Sequence, residues 1–409
     1  MSDRVILHSD LNGFYAAVEC FENPKIRDLP VAVCGDADQR HGIILAKNEI
    51  AKKFKIKTGE VIWQAKQKCP DLVTVPAHFD KYQRYSQIVK DLYNNYTDQI
   101  EPFGIDEAWL DVTGRDGKKT AEEIRERVKR ETGLTVSIGV SWNKIFAKLG
   151  SDLRKPDIVT EISRKNFKQR IFPLPANDLL YVGKATKAKL GSFGIKTIGD
   201  IANADVADLK LRLGKWGEVL WNFANGFDLS PVAKYVDDND VKSIGNSTTT
   251  MRDLKTLDDV LMIVTVLSES VAARLREQWL KGQVVHLTVR DNELVDWGKQ
   301  TKIEKPSFLS EDIIKTSMEL FKFYDFSKPI RSIGVRMTNL SSADTPVQLD
   351  LFGNDAEQKE AESLEHTIDR IRSKHGHVAI KRGIEHVDKE LCGIDPKEEN
   401  TVFPTSYFK

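Results

Sequence analysis

The spacing of apolar residues changes twice along the chain, and this change constrains the fold more than any other feature. Over residues 1–165, short apolar runs alternate with amphipathic stretches, as in α+β domains. From 164 to 228 the pattern is helical throughout and is interrupted by glycines, and from 242 to 345 strand-like and helix-like runs return. At 409 residues the chain is too long for one hydrophobic core. We therefore predict a multidomain protein of the α+β class with a helical segment between two α+β units.

The first segment predicts a sheet with helices packed on one face. Residues 4–10 have the composition of a short buried strand, and helical spacing begins at Gly13. Residues 105–112 and 134–140 are further strand candidates, and an amphipathic helix precedes the second of them.

Composition and charge exclude several classes of protein. The 61 Lys and Arg residues are balanced by 61 Asp and Glu residues, which argues against a uniformly basic DNA-coating protein. Four cysteines without a CxxC spacing argue against a disulfide framework or a structural zinc site and favour a reducing compartment. Neither a signal pattern nor an apolar run of about 18 residues is present, so we expect a cytoplasmic protein with no membrane association.

Three carboxylates occur where a metal site could form. Asp10 ends the first predicted strand, and Asp106 and Glu107 follow Gly104 in a later one. Adjacent strand residues point to opposite faces, so a pair that serves one site must lie at a strand end or a turn. Converging carboxylates need a cation to offset their repulsion, and hard oxygen ligands favour Mg²⁺. Spacing alone leaves open the more common alternative, in which these carboxylates are solvated surface groups.

Three motifs contain these residues: DLNGFYAAVE at 10–19, GIDEAWLDV at 104–112 and SIGVSWNKIFAKLGSDLRKPD at 137–157. In order and spacing they resemble the motifs of the Y-family of translesion DNA polymerases, the ImpB/MucB/SamB family. The second motif has Gly and Trp where the family has Ser and Tyr. The resemblance extends more loosely over residues 1–345. It implies a right-hand polymerase with a palm, fingers, a helical thumb containing a helix–hairpin–helix, and an α+β little finger.

The resemblance also implies the division of the chain. The predicted domains are a palm at 1–24 and 81–165, fingers at 25–80, a thumb at 166–229, a linker at 230–241, a little finger at 242–345 and a C-terminal tail at 346–409.

By the same resemblance, Asp10, Asp106 and Glu107 are catalytic and bind two Mg²⁺ ions, with the backbone carbonyl of Leu11 as a further ligand. The implied reaction is error-prone, template-directed addition of dNTPs to a primer 3′-hydroxyl without proofreading. Tyr15 matches the family's steric gate, whose ring would collide with a ribose 2′-hydroxyl.

Further residues are implied to bind the incoming nucleotide. Phe14 would line the pocket beside the gate, and Lys155 matches a lysine that contacts the triphosphate. The family often has a Tyr-x-x-Arg pair in the fingers, and here Glu49 and Lys52 occupy the matching positions. Lys52 is the predicted substitute, although lysine lacks the bidentate fork of arginine.

Two lysines of the third motif are left without an assigned role. Lys144 and Lys148 share a helical face, and the sequence leaves open whether they are structural or contact the DNA backbone.

Two regions are predicted to bind DNA. Residues 179–200 resemble a helix–hairpin–helix, in which Gly183 would allow a sharp turn and bring helix amides to a phosphate. The pattern alone leaves open that this glycine is an ordinary helix cap. Residues 164–228 contain eleven basic and six acidic residues, which favours DNA contact. The basic candidates are Lys184, Lys187 and Lys189 in the thumb, and Lys242, Arg331 and Arg336 in the little finger.

The polar C-terminal region contains one apolar motif, QLDLF at 348–352, which resembles the bacterial sliding-clamp binding peptide. Gln348 would make polar contacts, and Leu351 and Phe352 would be the apolar anchors. A short strand of the little finger is the alternative. The ending TIDRIRSKHGHVAIKRG resembles that of UmuC-type and related Gram-positive members. The implied partners are primer–template DNA, dNTPs and the sliding clamp, the β subunit of the replicative polymerase.

Two other classes of function remain to be separated from this one. The first is a non-catalytic accessory protein that binds DNA and the clamp on a polymerase-like scaffold, which the altered fingers pair would allow. The second is a palm-like nucleotidyl cyclase or nuclease, which does not explain the thumb, the little finger and QLDLF together.

Overall fold

The computed structural model describes residues 4–35, 42–234, 241–345 and 355–393, which fold as two compact units. The first unit comprises 4–35 and 43–234, and the second comprises 241–345 and 355–393. No helix in these ranges is both long and apolar enough to cross a bilayer.

The first unit contains two sheets and a helical region. Its strands are β1 (Ile6–Leu11), β2 (Val31–Cys34), β3 (Ile44–Lys47), β4 (Val73–Pro76), β5 (Ile100–Pro102), β6 (Glu107–Asp111), β7 (Val136–Ser141) and β8 (Val159–Glu161). Its helices are α1 (Phe14–Glu22), α2 (Glu49–Lys52), α3 (Ile62–Lys68), α4 (Phe79–Tyr93), α5 (Gly117–Thr132), α6 (Lys144–Leu153), α7 (Phe167–Ile171), α8 (Lys184–Ser192), α9 (Ile198–Asn203), α10 (Val206–Leu213) and α11 (Lys215–Ala224).

The larger sheet has the order β5-β6-β1-β7-β8, with β1 at its centre and antiparallel to both neighbours. Every residue of β1 is buried, because helices cover both faces. Leu7 and Leu11 pack with α4 and α5, whereas Ile6 and His8 face α6. The prediction of helices on one face is therefore wrong. The sequence of β1 lacks the alternation of apolar and polar residues that marks a strand with one solvent-exposed face, and both of its faces are buried.

A glycine allows α6 to lie directly on the sheet. Gly139 of β7 pairs with His8 of β1, and a Cβ atom at this position would lie 1.8 Å from the carbonyl oxygen of Ala147. Since no side chain can fit there, helix and strand approach at backbone distance. This close approach brings the side chains of α6 to the end of β1 where Asp10 lies.

A smaller sheet, β3-β2-β4, forms the fingers-like module with α2 and α3. Its core contains Ala32, Ile44, Ile56 and Ala65. The module adjoins the turn before α1, because a Cβ atom on Gly13 would lie 3.0 Å from the carbonyl oxygen of Lys47. Gly13 has a φ of 56°, which few residues other than glycine tolerate.

Helices α7 to α11 pack around a core that includes Trp142 and Phe146 from the start of α6. The carbonyl oxygen of Gly226 accepts hydrogen bonds from the Trp142 indole at 3.1 Å and from the Asn143 amide at 2.9 Å. The thumb-like helices are thus anchored to the palm-like sheet through α6.

The second unit is built on an antiparallel sheet of order β11-β10-β12-β9. Its elements are β9 (Ser243–Leu254), α12 (Leu257–Glu277), β10 (Leu280–Asp291), β11 (Asp296–Ser307), α13 (Ser310–Phe321), β12 (Ile330–Ser342) and α14 (Asp355–His375). Helices α12 and α13 share a core with the inward-facing residues of the strands, such as Val285, Leu287 and Val335.

Residues after α14 also belong to this unit, since Leu391 and Cys392 are buried in the same core. The second unit therefore extends well beyond residue 345, where the sequence placed the end of the little finger. The proposed clamp peptide, with Gln348, Leu351 and Phe352, lies outside the described residues.

Candidate active site

Three carboxylates meet at one end of the five-stranded sheet. Asp10 on β1 is paired with Glu107, the first residue of β6. Asp106 lies just before β6, where its carbonyl oxygen accepts a hydrogen bond from the Leu11 amide at 3.0 Å. The preceding loop is tight, since the amide of Gly104 donates to the Glu107 carbonyl at 3.2 Å. Asp106 thus lies outside β6, so its side chain need not point to the face opposite that of Glu107, as expected from the glycine before it.

Negative charge accumulates at this end of the sheet. Burial raises the pKa of Asp106 to about 7, and the neighbouring carboxylates of Asp10 and Glu107 contribute to the rise. Burial also raises the pKa of Asp10, although the ammonium group of Lys155 opposes that rise. Carboxyl groups that raise each other's pKa form a site where added positive charge is stabilising.

Two lysines from α6 and the segment after it supply part of that positive charge. Lys155 Nζ lies 2.7 Å from Asp10 Oδ2 and 2.8 Å from Asp152 Oδ1. Burial would lower the pKa of Lys155, but these carboxylates raise it above its ordinary value. Lys148 forms an ion pair with Glu107. Burial would raise the pKa of Glu107, but His8 and Lys148 together lower it to about 2.

Within the described ranges, no group of three or more His, Cys, Asp or Glu side chains is arranged to hold a metal ion. Lys155 and Lys148 form ion pairs with Asp10 and Glu107. The donor set itself fits a divalent cation, because Asp10 and Asp106 are hard oxygen donors whose pKa values are raised by burial and by neighbouring carboxylates.

His8 is a site residue that the sequence prediction missed. Its side chain is fully buried, with Nε2 3.2 Å from Glu107 Oε2 and Nδ1 2.8 Å from Ser151 Oγ. Burial lowers its pKa, which favours the neutral ring. The sequence signal that could have identified His8 is its position two residues before Asp10, because this spacing places both side chains on the α6 face of β1.

The two lysines left open by the sequence have separate partners in the structure. Lys148 pairs with Glu107, whereas Lys144 pairs with Glu101 at 2.7 Å and lies over the ring of Trp109. Lys148 therefore belongs to the carboxylate cluster and Lys144 does not.

The two aromatic residues after Asp10 have different surroundings. The half-buried ring of Tyr15 is stacked on Tyr82, with the centroids 4.3 Å apart and the planes at 10°. Burial raises the pKa of Tyr15 to about 12, and the charge of Asp106 adds to this, so the phenol lies near the carboxylates. Phe14 is 3% exposed and belongs to the core beside Tyr82. It therefore has little surface to offer a nucleotide, and its place in the pocket stays a prediction.

Lys52, the predicted substitute for the arginine of the fingers pair, forms an ion pair with Glu49, which occupies the matching tyrosine position. Asn48 caps this short helix by accepting a hydrogen bond from the Ala51 amide at 2.9 Å. Lys47, which the sequence prediction overlooked, lies nearby. Burial lowers the pKa of Lys47, and the charge of Lys52 lowers it further. The triphosphate role of Lys52 stays a prediction.

The thumb turn differs from the predicted one. Gly183 has a φ of −76°, which any residue adopts, and the left-handed residue is Tyr181 with a φ of 70°. The prediction that Gly183 is needed for a sharp turn is therefore wrong. No atom lies within 4 Å of a Cβ built on Gly183, so the N-terminus of α8 is open to an approaching group. Lys184, Lys187 and Lys189 follow it and are exposed.

The little-finger candidates fall into two groups. Arg336 is exposed and its guanidinium lies 2.9 Å from His286 Nδ1, on the sheet face away from α12 and α13. Lys242 is also exposed. Arg331 is only partly exposed, and its carbonyl accepts a hydrogen bond from Thr250 at 3.2 Å. The DNA contacts of all three stay predictions.

Three family models match separate parts of the chain. Residues 9–152 match the model of the impB/mucB/samB family, and residues 241–351 match that family's C-terminal domain. Residues 177–228 match the thumb domain of DNA polymerase-iota. A solved Y-family DNA polymerase chimera of Dbh and Dpo4 has the same fold, with a TM-score of 0.73 and 24% identity over 82% of this chain and 98% of that one.

Curated relatives match over almost their whole length. DNA polymerase IV of Acetivibrio thermocellus is 49% identical over 96% of this chain and 100% of that protein. DNA polymerase IV of Clostridium acetobutylicum is 35% identical over 93% and 98%. DNA polymerase IV 1 of Bacillus subtilis is 33% identical over 99% and 98%. The predicted family and the α+β polymerase fold are confirmed: the chain belongs to the impB/mucB/samB family of Y-family DNA polymerases.

Proposed function

We propose that this protein is a magnesium-dependent translesion polymerase that adds dNTPs to a primer 3′-hydroxyl by a two-metal mechanism, without proofreading. The observation that carries the proposal is the cluster of Asp10, Asp106 and Glu107 at the ends of β1 and β6, where burial and mutual repulsion raise the pKa of Asp106 to about 7. Such a cluster is costly for folding and is explained when a cation binds to it.

The residues that would hold two Mg²⁺ ions are Asp10, Asp106, Glu107 and the carbonyl of Leu11. Bound magnesium supplies activation of the attacking hydroxyl and stabilisation of the leaving pyrophosphate. His8 and Lys148 both contact Glu107 and hold it in its ionised form, since together they lower its pKa to about 2.

Lys155 supports binding of the incoming triphosphate. Its ammonium group lies at the carboxylate cluster, and its raised pKa keeps it fully charged at neutral pH. A compact positive charge at this position suits a phosphate oxygen. Lys52 would add a second contact from the fingers.

Tyr15 supports selection of the deoxyribose sugar. Its ring is stacked on Tyr82 and meets Phe79 edge-on at 5.8 Å. These contacts restrict rotation of the ring, so a ribose 2′-hydroxyl placed against it would collide rather than displace it. Phe14 supports this arrangement from the core side.

DNA contacts are proposed for both units. The open N-terminus of α8 at Gly183, with Lys184 and Lys187, suits a backbone phosphate. Arg336, on the open face of the second sheet, and Arg331 would add contacts of the same kind. The segment at 348–352 is proposed to bind the sliding clamp, and deletion of these residues should abolish any clamp stimulation of synthesis.

Primer extension on a primed template tests the proposal. Wild-type protein should incorporate dNTPs with Mg²⁺ and stop when EDTA is added, and Glu107→Ala should lose extension. Asp91→Ala, which removes an exposed carboxylate from α4, is the matched control and should extend normally. Normal extension by Glu107→Ala would remove the site assignment. Absence of metal-dependent incorporation by the wild type would favour the non-catalytic accessory protein.

A further inference from the structure

We propose that the solvent-facing side of α3, centred on Trp63 and Lys66, binds the single-stranded template ahead of the active site. This inference rests on the proposed function, because it takes primer–template DNA as the substrate. The ligand class is unpaired DNA, bound by base stacking and by phosphate neutralisation without regard to sequence.

The first observation is the orientation of α3. Ala65 and Cys69 are 0% and 1% exposed and face the core of the module, with Ile62 packed against them. Trp63 is 58% exposed, and Lys66 and Gln67, three and four residues later, are exposed as well. Residues with this spacing lie on one face of a helix. The helix therefore presents a largely exposed tryptophan on the face opposite its core.

The second observation is that the module exposes other apolar side chains besides Trp63. Ile43 and Val61 are 41% and 39% exposed and are directly opposite each other in an isolated antiparallel bridge, so their side chains share one side. Phe54, at the end of the preceding helical turn, is 42% exposed. Several exposed apolar side chains in a module this small indicate a binding surface.

The third observation is the charge of the module. Residues 42–76 contain seven lysines and three carboxylates. Lys52 and Lys68 are paired with Glu49 and Glu60. Among the residues that the structure describes, no carboxylate lies within ion-pair distance of the exposed lysines Lys53, Lys55, Lys57 and Lys66. Uncompensated lysines beside exposed aromatic rings match the surfaces that bind nucleic acid strands. Protein–protein interfaces are depleted in lysine, so a protein occupant fits less well.

The choice of a single strand follows from the chemistry of Trp63. An indole ring can stack on a base only when that base is unpaired and its face is free, which excludes the interior of the duplex. During synthesis the unpaired template bases lie ahead of the templating position. The module adjoins the active-site turn, since the Lys47 carbonyl approaches Gly13 three residues after Asp10. In the proposed arrangement, the template strand that leaves this turn lies on the exposed face of α3.

The test compares the binding of two primer–templates by fluorescence anisotropy, one with a single unpaired template nucleotide and one with about eight. Wild-type protein should bind the longer overhang about 10-fold more tightly, which corresponds to stacking of one base. Trp63→Ala should lose most of this gain, and Trp63→Phe should keep part of it. Lys66→Ala should make the gain less dependent on salt. Trp279→Ala removes a tryptophan of similar exposure from the other unit, and this control should retain the gain.

The same proteins are assayed for extension on the single-nucleotide overhang. Trp63→Ala should extend this primer at the wild-type rate, which shows that the active site is intact. The inference is overturned if Trp63→Ala keeps the full gain from the long overhang, or if the wild type shows no gain. A wild type that gains affinity but does not extend primers would refute the proposed polymerase activity and leave the binding surface supported.

Discussion

The two units each bury a cluster of charged side chains, and the clusters differ in balance. In the first unit, Asp10, Asp106 and Glu107 meet at a strand end, where Lys155 contacts Asp10 and Lys148 contacts Glu107. Burial, together with the charges of Asp10 and Glu107, raises the pKa of Asp106. In the second unit, three arginines of α12 and the C-terminal segment are each paired with a carboxylate.

The second cluster pairs three arginines with three carboxylates. Arg276 lies 2.6 Å from Asp369 and 3.0 Å from Glu365, and Arg372 lies 2.7 Å from Glu269. Arg382 completes the group at 2.5 Å from the other oxygen of Glu269. Charge balance and bidentate geometry offset the desolvation of these groups. The cluster therefore has the properties of a structural contact that holds α14 on α12.

The difference teaches how to separate a functional charge cluster from a structural one. Burial alone does not distinguish them, since both clusters are largely removed from solvent. Imbalance does, because an excess of one sign raises the free energy of the empty protein and is relieved by a change of protonation or by a ligand of the opposite sign. Removing a carboxylate from the first cluster should therefore leave stability unchanged or raise it, whereas removing one from the second cluster should lower stability.

The largest effect is expected from Asp106→Asn in the unbalanced cluster. Loss of a metal-binding carboxylate should reduce the primer extension rate at least about 100-fold. Without metal, the free energy of unfolding should stay the same or rise, because a buried carboxylate repelled by Asp10 and Glu107 has been neutralised. Rapid-quench extension and urea unfolding in EDTA measure the two quantities. Asp91→Asn is the control. A large loss of stability in Asp106→Asn without loss of extension would show that Asp106 is a structural rather than a functional carboxylate.

The balanced cluster should respond in the opposite way. Glu269→Ala leaves Arg372 and Arg382 without their shared carboxylate, and unfolding should become easier by about 3–5 kcal/mol. Urea unfolding and limited proteolysis of residues 355–393 measure this loss. Glu311→Ala removes a carboxylate that also contacts Arg382 but is 75% exposed, so it should change stability by less than about 1 kcal/mol. Equal effects of the two substitutions would show that the buried cluster is not structural.

Tyr15 tests whether the unbalanced cluster is accompanied by a shaped pocket. Tyr15→Ala should reduce discrimination against ribonucleotides by about 10- to 200-fold, because one small group is no longer excluded. Tyr15→Phe keeps the ring that is stacked on Tyr82 and should discriminate as the wild type does. Single-nucleotide incorporation of matched dNTP and rNTP measures the ratio. Unchanged discrimination in Tyr15→Ala would refute the steric gate.

The smallest effect is expected at a single balanced carboxylate in the second unit. Asp259 accepts hydrogen bonds from Arg252 and, in a capping box, from the backbone amide of Thr256, the N-cap residue of α12. The hydrogen bond from Arg252 lowers its pKa, although burial opposes this. Its stabilisation should be complete above the ordinary carboxyl pKa of 3.8 and should be lost as the pH falls below it.

Asp259→Ala should therefore lower the free energy of unfolding by about 1–2 kcal/mol at pH 7, and by less at pH 3. Asp258→Ala, which removes an exposed neighbour, is the control and should have little effect at either pH. Thermal unfolding at both pH values measures the difference. A loss of stability that does not depend on pH would show that the carboxylate charge is unimportant.

Local motifs carried much of the prediction. The strand that ends at Asp10, the helix that follows Gly13 and the placement of Asp106 before a strand all depend on residues near in sequence. The site partners that were missed come from far away in the chain, since His8 meets Ser151 across 143 positions. The sharp turn assigned to Gly183 failed because the left-handed conformation is adopted by Tyr181, a residue type that gives no turn signal.

The sequence by itself determined which carboxylates, aromatic rings and lysines this protein has available for chemistry, because their motifs are short and contiguous. It also determined the family and the α+β class. Only the tertiary structure decided which face of β1 meets α6, that Lys148 rather than Lys144 reaches Glu107, and that Phe14 is buried while Tyr15 is half-buried. It also decided that residues 355–393 pack on α12. These outcomes depend on contacts between distant segments, and the local spacing of residues does not specify such contacts.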